Sequence, residues 1–194
     1  MPKSDPQADA REKKRAGLYD IMEMAAKLFE EWLEGDEGGV ARAYLDRRGL
    51  SPQTRRDFRI GYAPRDRRTL KQHLATEGIT TEQMAEAGLI ITGDDIAVPF
   101  DRFRDRVMFP ITDARGRVVA FGGRALQSDQ PAKYLNSPET PLFHKGEMLF
   151  NLARARKAAH DSGIVYVVEG YMDVIAMSDG GFSNTVAPLG TALT

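Results

Sequence analysis

Ile164-Val165-Tyr166-Val167-Val168-Glu169-Gly170-Tyr171-Met172-Asp173 carries the clearest structural signal in this chain of 194 residues. Five successive apolar or aromatic residues, all prone to β-structure, predict a strand buried on both faces, as in a parallel sheet. Gly170 permits a sharp turn after Glu169, and a helix is expected over residues 171–178. Because ligands of open α/β sheets lie at the carboxyl ends of the strands, Glu169 and Asp173 are expected to face one crevice.

The charges around this stretch favour a divalent cation between the two carboxylates. Four acids and no lysine or arginine occur from residue 161 to residue 194. Neighbouring carboxylates without a cationic partner repel each other, and a hard cation with oxygen ligands relieves that repulsion. The alternative is that Glu169 is a solvated strand end and Asp173 a favourable charge at a helix N-terminus. The spacing alone does not decide between these interpretations.

The composition is that of an ordinary soluble protein, with 42% hydrophobic and 28% charged residues. No apolar run is long enough for a membrane span and no signal peptide is recognisable, so we expect a cytoplasmic protein without a membrane partner. The absence of cysteine excludes disulfides and thiolate zinc sites, and the three histidines are too far apart to predict a zinc site. No nucleophile elbow, Walker loop or G-x-G-x-x-G pattern occurs, which argues against serine hydrolases, P-loop NTPases and simple Rossmann enzymes.

The net charge of −1 conceals a basic middle section. Seven basic and four acidic residues lie between residues 99 and 133, and the acidic section from residue 161 follows them. This arrangement is typical of a protein that holds a polyanion close to a metal ion. Chance segregation of charges on solvated faces is the alternative.

The predicted fold class is α/β, in three regions. Residues 1–15 are polar and mixed in charge and are expected to form a flexible arm. Residues 16–160 are expected to form a basic, nucleic-acid-binding subdomain of mixed α+β structure. Residues 161–194 begin a Rossmann-like parallel sheet, with a second strand near 184–187 and Thr191 as the N-cap of another helix. One strand–helix–strand unit cannot complete a doubly wound sheet, so we expect a truncated sheet.

The basic section contains three arginines at alternate positions. Arg102, Arg104 and Arg106 would lie on one face of a strand, about 6–7 Å apart, a spacing that resembles successive phosphates of an extended nucleic acid strand. The predicted strand runs over residues 102–111, and a small hairpin is expected before it at 89–98.

Two further segments carry candidate ligands for nucleic acid. Gly122-Gly123-Arg124 follows a predicted strand at 117–121, so the glycines are expected in a turn and Arg124 is a candidate phosphate ligand. Lys133 and Tyr134 precede Asn-Ser-Pro, which is typical of a turn. They are either part of that turn or a source of positive charge and a stacking face for a single strand.

Six motifs occur in the same order as in one known family. They are Arg102-Phe-Arg-Asp-Arg-Val-Met-Phe-Pro-Ile111, Phe121-Gly-Gly-Arg124, Lys133-Tyr-Leu-Asn-Ser-Pro-Glu-Thr140, Phe143-His-Lys145, Val168-Glu-Gly-Tyr-Met-Asp-Val174 and Ala187-Pro-Leu-Gly-Thr-Ala-Leu-Thr194. Together, from Leu18 to the last residue, they resemble the RNA-polymerase domain of bacterial DNA primases of the DnaG type. The acidic strand–turn–helix alone would indicate only the wider Toprim superfamily, and the other motifs disfavour its nucleases and topoisomerases.

The resemblance implies a mixed α/β N-terminal subdomain that leads into a Toprim domain. It implies that Glu169 and Asp173 belong to a metal-binding acidic cluster and that Glu169 is catalytic. The basic residues that it places along the groove for template and nucleotides, with Tyr134 among them, are Arg102, Arg104, Arg124, Lys133 and Lys145. The later Asp-x-Asp motif of the family has no counterpart in these residues.

The implied function is synthesis of short RNA primers on single-stranded DNA by a nucleotidyltransferase that uses Mg²⁺ or Mn²⁺. The implied partners are the single-stranded DNA template, ribonucleoside triphosphates, the RNA primer and, through a C-terminal domain outside this sequence, a replicative helicase. Zinc would be bound only by an N-terminal domain outside this sequence, and the chain is expected to be monomeric. The alternative is a catalytically inactive module that binds single-stranded DNA, because part of the acidic cluster is absent.

Overall fold

A computed structural model describes residues 6–128 and 130–190, and residue 129 and the expected N-cap Thr191 lie outside the described residues. The helices are α1 (Pro6–Glu34), α2 (Gly39–Arg47), α3 (Pro52–Asp57), α4 (Thr69–Thr76), α5 (Thr81–Glu86), α6 (Leu152–Ser162) and α7 (Tyr171–Asp179). The strands are β1 (Gly61–Ala63), β2 (Ile90–Ile91), β3 (Phe100–Asp101), β4 (Arg106–Thr112), β5 (Val118–Ala125), β6 (Tyr134–Asn136), β7 (Leu149–Phe150), β8 (Tyr166–Val167) and β9 (Thr185–Pro188). Within the described ranges no helix is long and apolar enough to cross a membrane.

Helix α1 packs on the sheet through an apolar stripe, but it begins much earlier than the sequence pattern predicts. Its buried side chains, which recur at helical spacing, include Leu18, Ile21, Met22, Ala25 and Phe29. The helix extends back to Pro6 because the intervening residues are mostly good helix formers and include no proline and, before Gly17, no glycine. Lys14 also forms an ion pair of 2.7 Å with Glu86 of α5. From residue 6 onward, the predicted arm is therefore helix.

The main sheet is antiparallel, with the strand order β1-β4-β5-β6. In its centre Phe109 of β4 pairs with Gly122 of β5, which in turn pairs with Asn136 of β6. Phe29 of α1 meets Phe121 of β5 edge to face, with ring centroids 5.1 Å apart. This contact joins the helix and the sheet in one core.

The strand that carries the arginines is shorter than predicted. It begins at Arg106, because Asp105 adopts a left-handed backbone with φ of 50° and residues 102–105 are irregular. The predicted hairpin is also wrong in its second strand, since β2 pairs with β3 at Phe100–Asp101 rather than with residues 96–98. Arg102, Arg104 and Arg106 therefore do not alternate along one strand face.

Gly122 and Gly123 lie inside strand β5, so the turn predicted for them is wrong. The reason is the close approach of Tyr171: a Cβ atom on Gly122 would lie 2.3 Å from the Tyr171 hydroxyl oxygen. Glycine is needed here for space, and the ladder with β4 continues through both residues.

The C-terminal sheet has the order β7-β9-β8, with β8 parallel to β9 and β7 antiparallel to β9. The predicted double burial of the strand over residues 164–168 is wrong, because Ile164, Val165 and Val167 are 51%, 53% and 46% exposed. Strand β8 has only two residues, and in the described part of the chain it has β9 on one side and no strand on the other. The parallel strand–helix–strand unit itself is as predicted.

Asn151 precedes α6, where an asparagine predicts an N-cap. The structure places it at that position, but its side chain makes no capping hydrogen bond. Its backbone is left-handed, with φ of 68°, and its side-chain nitrogen Nδ2 donates a hydrogen bond to the Thr185 carbonyl oxygen at 3.0 Å. Asn151 therefore joins the start of α6 to β9 instead of capping the helix.

Candidate active site

Glu169 and Asp173 line the same crevice, as the sequence predicts. The crevice has a volume of about 360 Å³ and lies where β8 and β9 end, next to the first turn of α7. Gly170 has an extended backbone and precedes α7, so Glu169 lies on one side of the turn and Asp173 on the other. Both carboxylates are exposed. They can therefore bind an ion from solvent without a prior burial cost.

Residues distant in sequence also line the crevice. Arg48 at the end of α2 and Tyr134 and Asn136 of β6 line it together with Glu169 and Asp173. Arg48 is a cation that sequence reasoning missed, because it lies more than one hundred residues before Glu169 and only the fold brings it to the crevice. A positive charge in this crevice would favour an anionic ligand such as a phosphate group over a cation alone.

Tyr171 connects the crevice to the main sheet and is another residue that the sequence analysis did not assign. Its ring is stacked on Phe109, with centroids 5.0 Å apart and planes inclined by 3°, and meets Phe150 edge to face at 4.7 Å. Its hydroxyl group donates to the Asn136 side-chain oxygen at 2.6 Å. Burial, above all, raises the pKa of Tyr171 well above its ordinary value, so the hydroxyl remains a donor.

A second cavity, of about 390 Å³, gathers the arginines of the basic section. Arg102, Arg104 and Arg106 line it together with Arg65, although they are not on one strand face. Burial first, and then repulsion by Arg104 and Arg102, lowers the pKa of Arg106. An anion in this cavity would relieve that repulsion.

Two of these arginines also donate hydrogen bonds to backbone carbonyl oxygens of β5 and β6. Arg102 donates to the Asn136 carbonyl oxygen from Nε at 3.2 Å and from Nη2 at 2.8 Å. Arg106 is buried and donates from Nη1 to the Gly123 carbonyl oxygen at 3.2 Å. Arg104 is half-buried, and its guanidinium carbon lies 4.9 Å from the centre of the Phe100 ring.

The remaining predicted ligands lie at different places. Arg124 and Lys133 line a third cavity of about 300 Å³, and the Arg124 guanidinium carbon lies 4.2 Å from the centre of the Tyr44 ring. Tyr134 is 42% exposed and borders the acidic crevice. Lys145 lies in a 3₁₀ turn, where its backbone N–H donates to Glu139, and it lines none of these three cavities. The structure thus does not bring Lys145 together with the other predicted ligands.

The donor set of the crevice fits a hard divalent cation with few protein ligands. Glu169 and Asp173 supply carboxylate oxygens, and the described residues contain no group of three or more histidine or acidic side chains that could hold a metal. Mg²⁺ is commonly held by one or two carboxylates together with substrate phosphates and water. Two exposed carboxylates beside Arg48 match that type of site.

Fold and site together define a class of protein. An acidic strand–turn–helix, followed by a parallel strand, has the arrangement of a Toprim domain, and a basic antiparallel sheet adjoins it. Residues 163–194 match the family described as Toprim domain, and residues 28–156 match the family described as DNA primase catalytic core, N-terminal domain. The chain belongs to the family of DnaG-type DNA primases.

Known relatives agree with this assignment. A DNA primase of Pseudomonas aeruginosa is 48% identical over 176 residues, which cover 90% of this chain and 26% of the relative. A DnaG catalytic domain solved with bound single-stranded DNA matches 94% of this chain and 56% of its own, with a TM-score of 0.84 and 42% identity. The RNA polymerase domain of the Mycobacterium tuberculosis primase DnaG matches 93% of this chain and 58% of its own, with a TM-score of 0.87 and 37% identity. The chain thus spans about a quarter of the Pseudomonas relative.

Proposed function

We propose that this chain is the part of a DNA primase that positions template and nucleotides for the synthesis of RNA primers on single-stranded DNA. The observation that carries the proposal is the crevice that Glu169 and Asp173 line together with Arg48 and Tyr134. Arg102 joins this crevice to a cavity lined by four arginines, through its hydrogen bonds to the Asn136 carbonyl oxygen. The family assignment supports the same reaction, and one structural neighbour was solved with single-stranded DNA.

The proposed reaction is nucleotidyl transfer. The 3′-hydroxyl oxygen of the primer forms a bond to the α-phosphorus of a ribonucleoside triphosphate, the bond between the α-phosphorus and the bridging oxygen breaks, and pyrophosphate and a proton leave. Divalent cations, Mg²⁺ or Mn²⁺, supply neutralisation of the charge that develops on the phosphoryl group. Glu169 and Asp173 would hold such an ion, and Arg48 would attract the triphosphate to the same crevice.

The basic residues would bind the nucleic acid backbone rather than read bases. The cavity lined by Arg65, Arg102, Arg104 and Arg106, and the cavity lined by Arg124 and Lys133, offer guanidinium and ammonium groups for phosphates. The exposed ring of Tyr134, between the basic sheet and the acidic crevice, is suited to stack on a base. Lys145 remains a predicted ligand for nucleic acid phosphates outside these cavities.

Residues 16–160 would form the nucleic-acid-binding subdomain and residues 161–194 the part of the Toprim domain that holds the ion. The proposed partners are single-stranded DNA, ribonucleoside triphosphates and the RNA primer, bound by a monomer. Contacts with a replicative helicase, and the zinc site of the family, are assigned to residues outside this chain.

The test is the substitution Glu169→Gln in the protein that carries this chain, with Asp161→Asn as the matched control. Asp161 is an exposed acid of the same region that pairs with Lys157 at 2.6 Å, outside the crevice. We expect Glu169→Gln to lower primer synthesis at least about hundredfold, because an ion ligand is lost, and to leave binding to single-stranded DNA unchanged. The control should retain primer synthesis.

Two measurements distinguish the proposal from a binding module without turnover. Primer synthesis is followed with labelled ribonucleotides, and DNA binding is followed by fluorescence anisotropy over a range of salt concentrations. A parent protein that binds single-stranded DNA but makes no primer would favour the binding module. Undiminished synthesis by the Glu169→Gln protein would contradict the assigned role of Glu169. DNA binding that does not weaken as salt is added would contradict the proposal that the arginines and lysines bind the phosphates of the DNA.

A further inference from the structure

We infer that Asn136 is a positioning residue that holds the acidic crevice in a fixed register with the basic sheet. It does so by joining β6 to the first turn of α7 and to the end of β9. The inference rests on the proposed function, because it concerns how the ion site and the nucleic acid path are aligned. Asn136 itself would not need to touch the reacting atoms.

Both polar atoms of the Asn136 side-chain amide form hydrogen bonds across the boundary between the two sheets. Its oxygen accepts from the Tyr171 hydroxyl at 2.6 Å, and its nitrogen donates to the Leu189 carbonyl oxygen at 3.1 Å. Among the described residues, these two are the side-chain hydrogen bonds that join β6 to residues 161–190. The amide orientation is fixed by its partners, because a carbonyl oxygen can only accept and therefore requires the amide nitrogen.

The two bonds reach the elements that carry the site. Tyr171 is the first residue of α7 and lies midway in sequence between Glu169 and Asp173. Leu189 directly follows β9, and its neighbours Pro188 and Gly190 line the crevice as well. A shift of β6 relative to these two segments would therefore move both carboxylates relative to Tyr134.

The backbone of Asn136 extends the connection to the basic cavity. Its carbonyl oxygen accepts the two hydrogen bonds from Arg102, and Arg102 lines the cavity with four arginines. One residue thus links a proposed phosphate ligand, the turn that holds the acids and the strand end that closes the crevice. Hydrogen bonds in such a connected, part-buried network reinforce one another and resist displacement.

Asparagine is the residue type that this place requires. Aspartate could accept from Tyr171, but it could not donate to the Leu189 carbonyl and would add a third negative charge to a crevice that already has two. Leucine or alanine could make neither bond. The neighbouring polar residue Ser137 has a different role, since its hydroxyl oxygen accepts from the Phe121 backbone N–H at 3.0 Å.

The decisive variant is Tyr171→Phe, which removes the hydroxyl group and keeps the ring that packs on Phe109. Asn136→Ala, which removes both bonds of the amide, is the second variant. Tyr166→Phe is the matched control, because it is the same chemical change in the same region, on a tyrosine that packs against Phe182 and not against β6. All are made in the protein that carries this chain, and thermal unfolding verifies that each is folded.

Four quantities are measured for each protein: kcat and KM for primer synthesis at saturating Mn²⁺, the Kd for single-stranded DNA, and the Kd for Mn²⁺ from its electron paramagnetic resonance signal. We expect Tyr171→Phe and Asn136→Ala to lower kcat by about tenfold to a hundredfold, because small misplacements of reacting groups have effects of that size. Both Kd values should remain within about twofold of the parent, because each ligand set stays intact on its own side. The control should match the parent.

An unchanged kcat in Tyr171→Phe would overturn the inference, even if the protein were less stable. A joint loss of DNA or Mn²⁺ binding with kcat would also overturn it, because Asn136 would then support one ligand set rather than the alignment of two. If Asn136→Ala does not fold, Tyr171→Phe decides alone. A parent protein that makes no primer, by contrast, would refute the proposed function itself.

Discussion

Replacing Gly122 with alanine should destabilise the protein strongly, because the structure leaves no room for one methyl group. A Cβ atom on Gly122 would lie 2.3 Å from the Tyr171 hydroxyl oxygen and 2.6 Å from its Cε2. Contacts between such atoms are favourable only at about 3.5–4.0 Å, so the ring would have to retreat by more than about 1 Å. The ring cannot retreat freely, because it is stacked on Phe109 and meets Phe150 edge to face.

The cost has two parts. Forcing a methyl group into a packed core typically costs about 1–3 kcal/mol. Displacing the Tyr171 ring also breaks its 2.6 Å hydrogen bond to Asn136, and leaving a part-buried acceptor without its donor costs about 1–3 kcal/mol. The free energy of unfolding should therefore fall by about 2–6 kcal/mol. That is a large part of the about 5–15 kcal/mol that stabilises a typical domain.

The assay is urea unfolding followed by circular dichroism, with Gly17→Ala as the control. Gly17 lies inside α1, and apart from its chain neighbours and the nearby backbone of the helix itself, no atom lies within 4 Å of the place that a Cβ would occupy. The same chemical change should therefore stabilise the protein there, by up to about 1 kcal/mol. Equal stability of Gly122→Ala and the parent would refute the claim that Tyr171 occupies this space in the folded protein.

Two further predictions concern buried polar groups away from the crevice. Asp101 accepts hydrogen bonds from the Leu70 and Lys71 backbone N–H groups. Burial raises the pKa of Asp101 to about 6, so the folded protein binds the proton of this carboxyl group more tightly than the unfolded chain does. The free energy of unfolding should thus fall as pH rises from about 4 to about 6, by at most about 3 kcal/mol, and urea titrations of Asp101→Asn should lack this decline. Asn151→Ala should destabilise the protein by about 2–3 kcal/mol in thermal unfolding, because alanine disfavours a φ of 68° and cannot donate a hydrogen bond to Thr185. Asn151→Gly should cost about 1 kcal/mol less, because glycine adopts this backbone conformation without strain. Equal effects of the two changes would contradict the role of the backbone.

Local sequence signals predict the local structure well. Ser51 before Pro52 is typical of an N-cap, and Thr80 followed by Gln83 is typical of a capping box; the structure has both caps. The strand–turn–helix around Gly170 is present, and both acids line one crevice. These features depend on interactions within a few residues, or on the general rule for strand ends in parallel sheets.

The features that sequence reasoning missed depend on contacts between distant residues. Arg48 enters the crevice from a helix more than one hundred residues before Glu169, and no spacing rule connects them. Gly122 follows a strand pattern in the sequence and therefore resembles a turn residue. Only the position of Tyr171 explains why a strand needs a glycine there, and the sequence does not show that position. The same holds for Asn136, whose turn-like sequence conceals two hydrogen bonds to residues much later in the chain.

Errors in strand boundaries have local backbone causes. Alternation of arginine with other residues predicts a strand from residue 102, but the left-handed Asp105 ends the alternation before Arg106. Side-chain alternation cannot reveal a single residue with positive φ unless it is a glycine. The arginines nevertheless line one cavity, because the irregular segment folds back beside β6.

The most direct test of the whole account is the position of Mn²⁺ in crystals of this protein soaked with the ion. The anomalous difference map should show a peak at coordination distance from carboxylate oxygens of both Glu169 and Asp173, in the crevice bordered by Tyr134, and crystals of Glu169→Gln should lose that peak. A peak away from both carboxylates, or one that persists unchanged in Glu169→Gln, would contradict the assignment of this crevice as the ion site of a primase.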